Sequence, residues 1–411
     1  MVSSTPANDI ESIYRFKRVI ETLYDDFMIR LIIIGLVCAL QSTEDISTFE
    51  RVKIAFGSCA NEKEGSSLVW NQMGKEDLTA LVLLGDTPYI DTTDLEVQRK
   101  RYKEFAEIPA FAQLVSKVPL YSTWDDHDFG RNDTDGNLAG KENSRQAFME
   151  NRNNPSYGEN DQGIYTKFSQ GDVTIFLLDT RWFAKTEGNA NNPTLLGSQQ
   201  WKWLDRELDE STTTFNVIAC GMVFNNSVRP GKSDCWGKYP VEYARLLSLI
   251  KKSAPKTTVL VGGDVHWSRL LKHETKSKVG YDVYEFITSP IHEKLIQAAN
   301  PPDDRLLFSK GEVNAFLIME TVENQQEELP PQLRFTFTNK NGDQLYQQTI
   351  VSNEELIAKI DLEIKELEAE IQVFIDDVRP LIQERRDLKD EIDKLRGEYV
   401  PPPPPPATRT D

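Results

Sequence analysis

Residues Asp125, Asp126, His127 and Asp128 put three carboxylates and an imidazole into four consecutive positions, directly after a short apolar, β-prone run. Adjacent carboxylates stay ionised together only where a cation or a set of donors compensates them. A metal ion is the simplest compensation, and four further stretches offer it ligands. They are "FGSC" ending at Cys59, "GDTPY" with Asp86 and Tyr89, "VFNN" with Asn225 and Asn226, and "VGGDVHW" with Asp264 and His266. Each alone is a weak signal. A Gly-Asp pair after a strand is often only a turn, a lone Cys59 reads as a small buried apolar residue, Tyr89 as a packed ring and His266 as a core histidine. Their shared placement at strand ends strengthens the set, as does the fact that two of only four histidines fall within it.

Donor type separates two kinds of ion. A Cys thiolate and a Tyr phenolate beside Asp and His suit a trivalent transition ion such as Fe(III). Asp126, Asp264 and one of Asn225 or Asn226 offer only oxygens, which suits Ca(II), with Mg, Mn or Zn as alternatives. Asp86 can bridge both ions. Asp126 is then a ligand and His127 faces the substrate, while Asp125 and Asp128 hold them in place. The catalytic candidates are His127, Asp128 and Arg131. Arg131 is a candidate phosphate contact, set against the plainer alternative of a solvated surface arginine. Arg181 reads first as an ion pair with Asp179.

The elements that must position these residues alternate between strand and helix from residue 50 to about 350. "RVKIAFGSC", "LTALVLLGD", "DVTIFLLDTRWF", "FNVIACGMVF" and "TTVLVGGDVHW" are apolar runs ending in Gly/Asp turns, with helix-like segments such as "GSQQWKWLDREL" and "PVEYARLLSLIKKS" among them. That alternation predicts an α/β layered fold with its chemistry at the carboxyl ends of the strands. "YDVYEFITS", "VNAFLIMET" and "QLRFTFTNKNGDQLYQQTI" add strands to the same domain, the last with a hairpin turn at Asn341-Gly342.

Beyond residue 352 apolar residues recur at steps of three and four from Ile357 to Leu395, interrupted by Arg385. This predicts a coiled-coil helix over 353–397, kinked or broken near Pro380, with a helix packed back on the domain as the alternative. The coiled coil would permit self-association. Residues 398–411 read as a disordered proline-rich tail.

The chain has 411 residues and a hydrophobic content of 39%, enough for a sizeable core. A formal net charge of −18 argues against nucleic acid as a partner. Cys38, Cys59, Cys220 and Cys235 lack the spacing of a disulfide framework or zinc finger. Residues 28–42 resemble a signal-peptide core with a cut after Ala39, which predicts a secreted, extracytoplasmic or endomembrane protein; a signal anchor and a buried segment are the alternatives. Residues 1–27 are then a long leader or an extension ahead of a start at Met28.

"FGSC", "GDTPY", "TWDDHD", "LLDTRWF", "LLGSQQWKWL" and "GGDVHW" stand in the order found in the alkaline phosphatase D family of metallophosphoesterases, which is itself similar to purple acid phosphatases. The resemblance covers about residues 50–350. It implies a layered β-sandwich flanked by helices. It also implies iron on Cys59, Asp86, Tyr89 and His266, calcium on Asp86, Asp126 and Asp264, and His127 as the acid that protonates the leaving group. Members often carry an extra N-terminal β domain that this sequence lacks, and the coiled coil lies outside the family pattern. The expected activity is hydrolysis of small phosphate monoesters, with phosphodiesterase or phospholipase-D-like activity as the alternative. An inactive secreted scaffold acting through the coiled coil is the reading from another class, and the filled motif blocks weigh against it. Asn132-Asp133-Thr134 and Asn225-Asn226-Ser227 are formal N-glycosylation acceptors beside the proposed site, so active enzyme should carry no glycan at either.

Overall fold

A computed structural model describes residues 50–398 except residues 64, 187–192, 233 and 324–329. The signal-like segment at 28–42 and the proline-rich residues 399–411 lie outside the described residues. Thr48–Ile357 forms one compact unit.

Its strands in chain order are β1 (Lys53–Gly57), β2 (Ala80–Leu84), β3 (Leu120–Thr123), β4 (Thr166–Gln170), β5 (Val173–Leu177), β6 (Phe215–Ala219) and β7 (Thr257–Gly262). β8 (Ser268–His273), β9 (Val283–Ile287), β10 (Leu306–Lys310), β11 (Ala315–Val322), β12 (Gln332–Asn339) and β13 (Gln344–Val351) follow. The helices are α1 (Ser67–Met73), α2 (Leu95–Ala106), α3 (Pro109–Val115), the single turn α4 (Asp126–Phe129), α5 (Lys141–Asn151), α6 (Gly197–Glu210), α7 (Pro240–Lys252), the single turn α8 (Lys276–Val279) and the long α9 (Glu354–Glu398).

Two sheets result. One has the order β13-β12-β11-β1-β2-β3 and the other β10-β8-β9-β7-β6-β5-β4. β1, β2 and β3 run parallel, as do β5, β6, β7 and β9. The parallel strands β2, β5, β6 and β7 are buried at every position, which explains their unbroken apolar sequences. β12 instead alternates, burying Leu333, Phe335 and Phe337 and leaving Arg334 and Thr336 partly exposed, as a strand covered on one face does. It turns into β13 through Asn341-Gly342, with Gly342 at φ +86°, a left-handed turn conformation that glycine adopts without strain.

The inner faces of the two sheets pack together through Ile54, Phe56, Val82, Leu84, Val217, Val259, Val261 and Phe286. The outer face of the first sheet is covered by α1, α2 and α3 through Trp70, Phe105 and Phe111. α6 and α7 cover the second through Trp201, Leu204, Leu246 and Ile250. The result is the layered sandwich flanked by helices that the sequence suggested, with the carboxyl ends of β1, β2, β3, β6 and β7 supplying one set of loops.

β4, β8 and β10 are strands beyond those expected. Helix α9 runs on past Pro380 without a break. Pro380 is exposed, so the hydrogen bond it cannot donate leaves its carbonyl partner, at Asp376, in water rather than in a core. The seam residues Leu367, Leu381 and Leu388 on α9 are exposed. Among the described residues no helix is long and apolar enough to cross a membrane.

Candidate active site

β1 releases the chain into Ser58 and Cys59, β2 into Asp86 and Tyr89, β3 into residues 125–128, and β7 into Asp264 and His266. These loops touch because glycines let them. A Cβ on Gly85 would lie 2.4 Å from the Asp125 backbone nitrogen, and one on Gly263 would lie 2.7 Å from Ser58 Cβ. The functional residues themselves take up the tight turns. Cys59, Asp86, Asp91, Asp264 and His266 all have left-handed backbones, with φ between 52° and 68°. Each such residue costs on the order of 1 kcal/mol, and clusters of them mark sites held in place by the surrounding fold.

Cys59, Asp86 and His266 each offer a ligand atom, and these atoms all lie within 4.8 Å of one another. Cys59 Sγ is 3.7 Å from Asp86 Oδ2, and Tyr89 OH is 2.8 Å from His266 Nε2. His266 Nδ1 lies 2.6 Å from the carbonyl oxygen of Lys294, which can only accept. The proton therefore sits on Nδ1 and the Nε2 lone pair points into the site, the orientation a metal-ligating histidine needs. Burial pushes the Cys59 thiol up to about 12 and holds the Tyr89 hydroxyl and Asp86 carboxyl well above their usual ranges. Without a cation burial favours the protonated forms of these groups. A bound ion would remove the protons, because a coordinated thiol or carboxyl must ionise.

Asp126 continues the arrangement. Its Oδ2 accepts from the Asp133 N–H at 2.7 Å, while its buried Oδ1 has no hydrogen-bond partner. Asp86, Asp126 and His127 also offer ligand atoms within 4.8 Å of one another. A fully buried carboxylate oxygen left unpaired is costly and marks a place for a ligand. The residues thus fit a metal ion firmly at Cys59, Asp86, Tyr89 and His266, and offer a second ion Asp86 and Asp126. Asp264 is committed elsewhere. Lys232 Nζ donates to its Oδ1 at 3.0 Å and lies 2.8 Å from its Oδ2, the latter as an ion contact without hydrogen-bond geometry.

His127 leans over Tyr89, the ring centres 4.5 Å apart. Its Nδ1 is 2.6 Å from Asp91 Oδ1, and its backbone carbonyl accepts from the N–H groups of Ile90 and Asp91. The dyad fixes the ring, with Nδ1 bound to the carboxylate and Nε2 left for chemistry. Asp86, Tyr89, Asp91, His127, Lys232, Asp264 and His266 line one cavity of about 460 Å³, joined by the cations Lys63, Arg229 and Lys294.

Residues 54–354 match the family described as PhoD-like phosphatase. The chain belongs to the PhoD-like phosphatase family. It is 28% identical over 286 residues to alkaline phosphatase D of Bacillus subtilis (strain 168), an alignment covering 56% of this chain and 49% of that one. The chain thus spans about half the length of this curated relative. A solved structure of PhoD superposes with a TM-score of 0.55 at 19% identity, covering 79% of this chain and 78% of the other, which shows the shared fold. GAP50, the anchor in the inner membrane complex of Plasmodium, gives a TM-score of 0.49 at 13% identity over 74% of this chain and 90% of that one.

In this PhoD-like phosphatase four sequence expectations need correction. Asn225 lies outside the cavity lining. Its Nδ2 donates to Glu285 Oε1 at 2.9 Å and its Oδ1 accepts from the Ser227 N–H, so both ends of the buried amide are used. Glu285 is in turn held by His273 at 2.7 Å, which makes Asn225 part of a structural network behind the site. Asp128 does not reach the cavity. Its carboxylate accepts from the backbone N–H groups of Asp125 and Thr87 and pins the β3 loop to the β2 loop; burial pushes it up to about 7. Arg131 is exposed and outside the cavity lining, where Arg229 and Lys232 stand instead. Arg181 pairs with Asp125 and Asp234 rather than Asp179. Asp179 instead accepts from the N–H groups of Ile164, Arg181 and Trp182 and from Trp124 Nε1.

Cys59, Asp86, Tyr89, Asp126, His127, Asp264 and His266 are brought together as expected. Sequence reasoning missed Asp91, Lys232 and Asp234. Asp91 follows the Gly-Asp block by five residues, and its spacing from that block was the available signal.

Proposed function

We propose that this protein is a metal-dependent phosphoesterase that hydrolyses small phosphate monoesters, with diesters as secondary substrates. The observation that carries the reading is the Asp91–His127 dyad opening into the same cavity as the Cys59, Asp86, Tyr89 and His266 donors. Thiolate and phenolate donors favour Fe(III) at that group, and Ca(II) suits the oxygens of Asp86 and Asp126. When bound, such ions supply Lewis-acid stabilisation of the phosphoryl oxygens and an activated water.

The chain's own residues account for the remaining steps. Asp91 holds His127 Nδ1–H and stabilises the imidazolium, so that Nε2 carries the proton given to the leaving oxygen. Arg229 and Lys294 put positive charge on the cavity rim in an otherwise acidic protein, Lys63 there being paired with Glu293 at 2.9 Å, and this favours the dianion of a monoester over the monoanion of a diester. Left-handed backbones at the ligand positions hold the donors fixed before substrate arrives. Export of the enzyme is supported by the apolar run at 31–40.

The test compares turnover of a chromogenic monoester and the matching diester by the full chain, before and after chelation. Faster monoester turnover that chelation abolishes is expected. A preference for the diester would overturn the substrate assignment, and turnover that survives chelation would overturn the metal requirement.

A further inference from the structure

The carboxylates of this site fall into two sets according to what stands opposite them. Asp86 and Asp126 pair with no lysine or arginine among the described residues: Asp86 Oδ1 accepts only the His127 N–H, at 3.3 Å, and Asp126 Oδ1 has no partner. Asp264 and Asp234 share an ammonium. Lys232 Nζ lies 2.8 Å from Asp264 Oδ2, 2.8 Å from Asp234 Oδ1 and 3.7 Å from Asp133 Oδ1, with its side chain only 4% exposed.

Local sequence puts it there. Arg229-Pro230-Gly231-Lys232 closes a β-turn in which Lys232 N–H donates to the Arg229 carbonyl at 3.2 Å. Proline at the second position and glycine at φ +83° at the third are the signature of a type II turn, and no atom would lie within 4 Å of a Cβ on Gly231. The glycine therefore serves backbone conformation, not packing, and the turn delivers Lys232 back into the acidic centre. Arg181 fixes the other side of Asp234 at 2.9 Å. Asp234 is thereby held between two cations and Asp264 between Lys232 and the cavity.

Resting on the reading of this centre as a metal site, we infer that Lys232 is a built-in competitor for the second cation, sitting on the Asp264 oxygens that a divalent ion would need. The first ion, at Cys59, Asp86, Tyr89 and His266, meets no such competitor. The second half-site already holds a positive charge, so a divalent ion gains Asp264 only when the ammonium leaves it. Lys232 itself lines the cavity into which the ammonium would have to move. Affinity for hard cations follows the number and charge of the oxygen ligands, so an ammonium on one of three carboxylates weakens the site. The chain thus binds its two ions with unequal strength by construction.

Calcium titration of the full chain by isothermal calorimetry tests this, with the tightly held ion counted by elemental analysis in every sample. Lys232→Gln should bind calcium at least about tenfold more tightly than wild type. Lys232→Arg, which keeps the charge, should not, and adding Asp264→Asn to Lys232→Gln should cancel the gain. A Lys232→Gln protein that keeps its tight ion yet binds calcium no better than wild type would overturn the inference and leave the metal reading intact. Absence of any bound ion in all samples would overturn both. A second measurement needs no variant: calcium should raise acetylation of Lys232 in the wild-type protein, read by mass spectrometry. Unchanged labelling at saturating calcium would contradict displacement.

Discussion

The two halves of the strand-end site solve the same electrostatic problem differently. Around Asp125, Asp234 and Asp264 the chain supplies its own cations, Arg181 and Lys232, and the carboxylates are balanced within the fold. Around Cys59, Asp86 and Tyr89 no lysine or arginine pairs with these groups among the described residues, and burial raises all three above their usual ranges; Asp126 stands between the halves, its carboxyl held below the usual range, against its burial, by the charges of Arg181 and Lys232. Buried acids are tolerated where a partner is built in; where it is left out, an external cation has to provide it. The unbalanced half leaves its acids open to an ion, and the balanced half holds Asp264 under Lys232.

Substitutions can break this contrast in order of severity. Asp86 faces both ligand groups, so Asp86→Asn should strip bound metal and lower turnover by ~10³-fold or more, measured by elemental analysis and steady-state rates on one sample. His127→Gln should leave metal content unchanged and cost ~10²–10⁴-fold on an alkyl phosphate, with a much smaller loss on an aryl ester whose leaving group needs no proton. Equal losses on both esters would show that His127 is not the acid.

The balanced half should respond to pH. Burial pushes Asp264 up to about 6 in the metal-free protein despite Lys232 beside it. Its carboxyl therefore holds a proton below pH 6, and that proton must leave before an ion binds. Calcium affinity should be flat above pH 7 and fall with acidity below pH 6, by up to ~10-fold per unit. Affinity independent of pH between 5 and 8 would show that Asp264 does not take part.

Two residues outside both halves complete the series. Asn225→Ala should cost ~1–2 kcal/mol of stability by leaving Glu285 short of a donor, with metal content unchanged in denaturation and elemental measurements. Arg131→Ala should change turnover by no more than about twofold, as expected of a solvated arginine with no buried role. A large loss of metal in the first, or of activity in the second, would return that residue to the site.

Much of this was legible in the sequence because strand ends carry the chemistry in short blocks. The apolar runs of β1, β2 and β7 each terminate in the residues that matter, so Cys59, Asp86 and Asp264 could be read directly. Side chains whose partners lie far along the chain could not. His127 and Asp91 are 36 residues apart and meet only after β3 is laid beside β2. Lys232 and Asp234 sit in a stretch that reads as a polar turn, and nothing local announces that it folds inward. The placement of Asn225 was hidden for a plain reason: "VFNN" lies several residues past the end of β6, where strand periodicity no longer says which way a side chain points, and its amide bonds to Glu285 on β9. Arg181 was misassigned by nearness in sequence, because Asp179 spends its carboxylate on neighbouring N–H groups and Asp125 is the acid that needs a cation. At Pro380 the helix continues without a break, long enough to absorb one missing hydrogen bond.

The most direct test of the central claim is the metal content of purified full-length wild-type protein beside Cys59→Ala, with phosphomonoesterase turnover measured on the same samples. The account predicts about one tightly held transition ion per wild-type chain, its loss in Cys59→Ala, and turnover that falls with it. A wild-type protein that turns over substrate without such an ion, or a Cys59→Ala protein that keeps both ion and turnover, would contradict it.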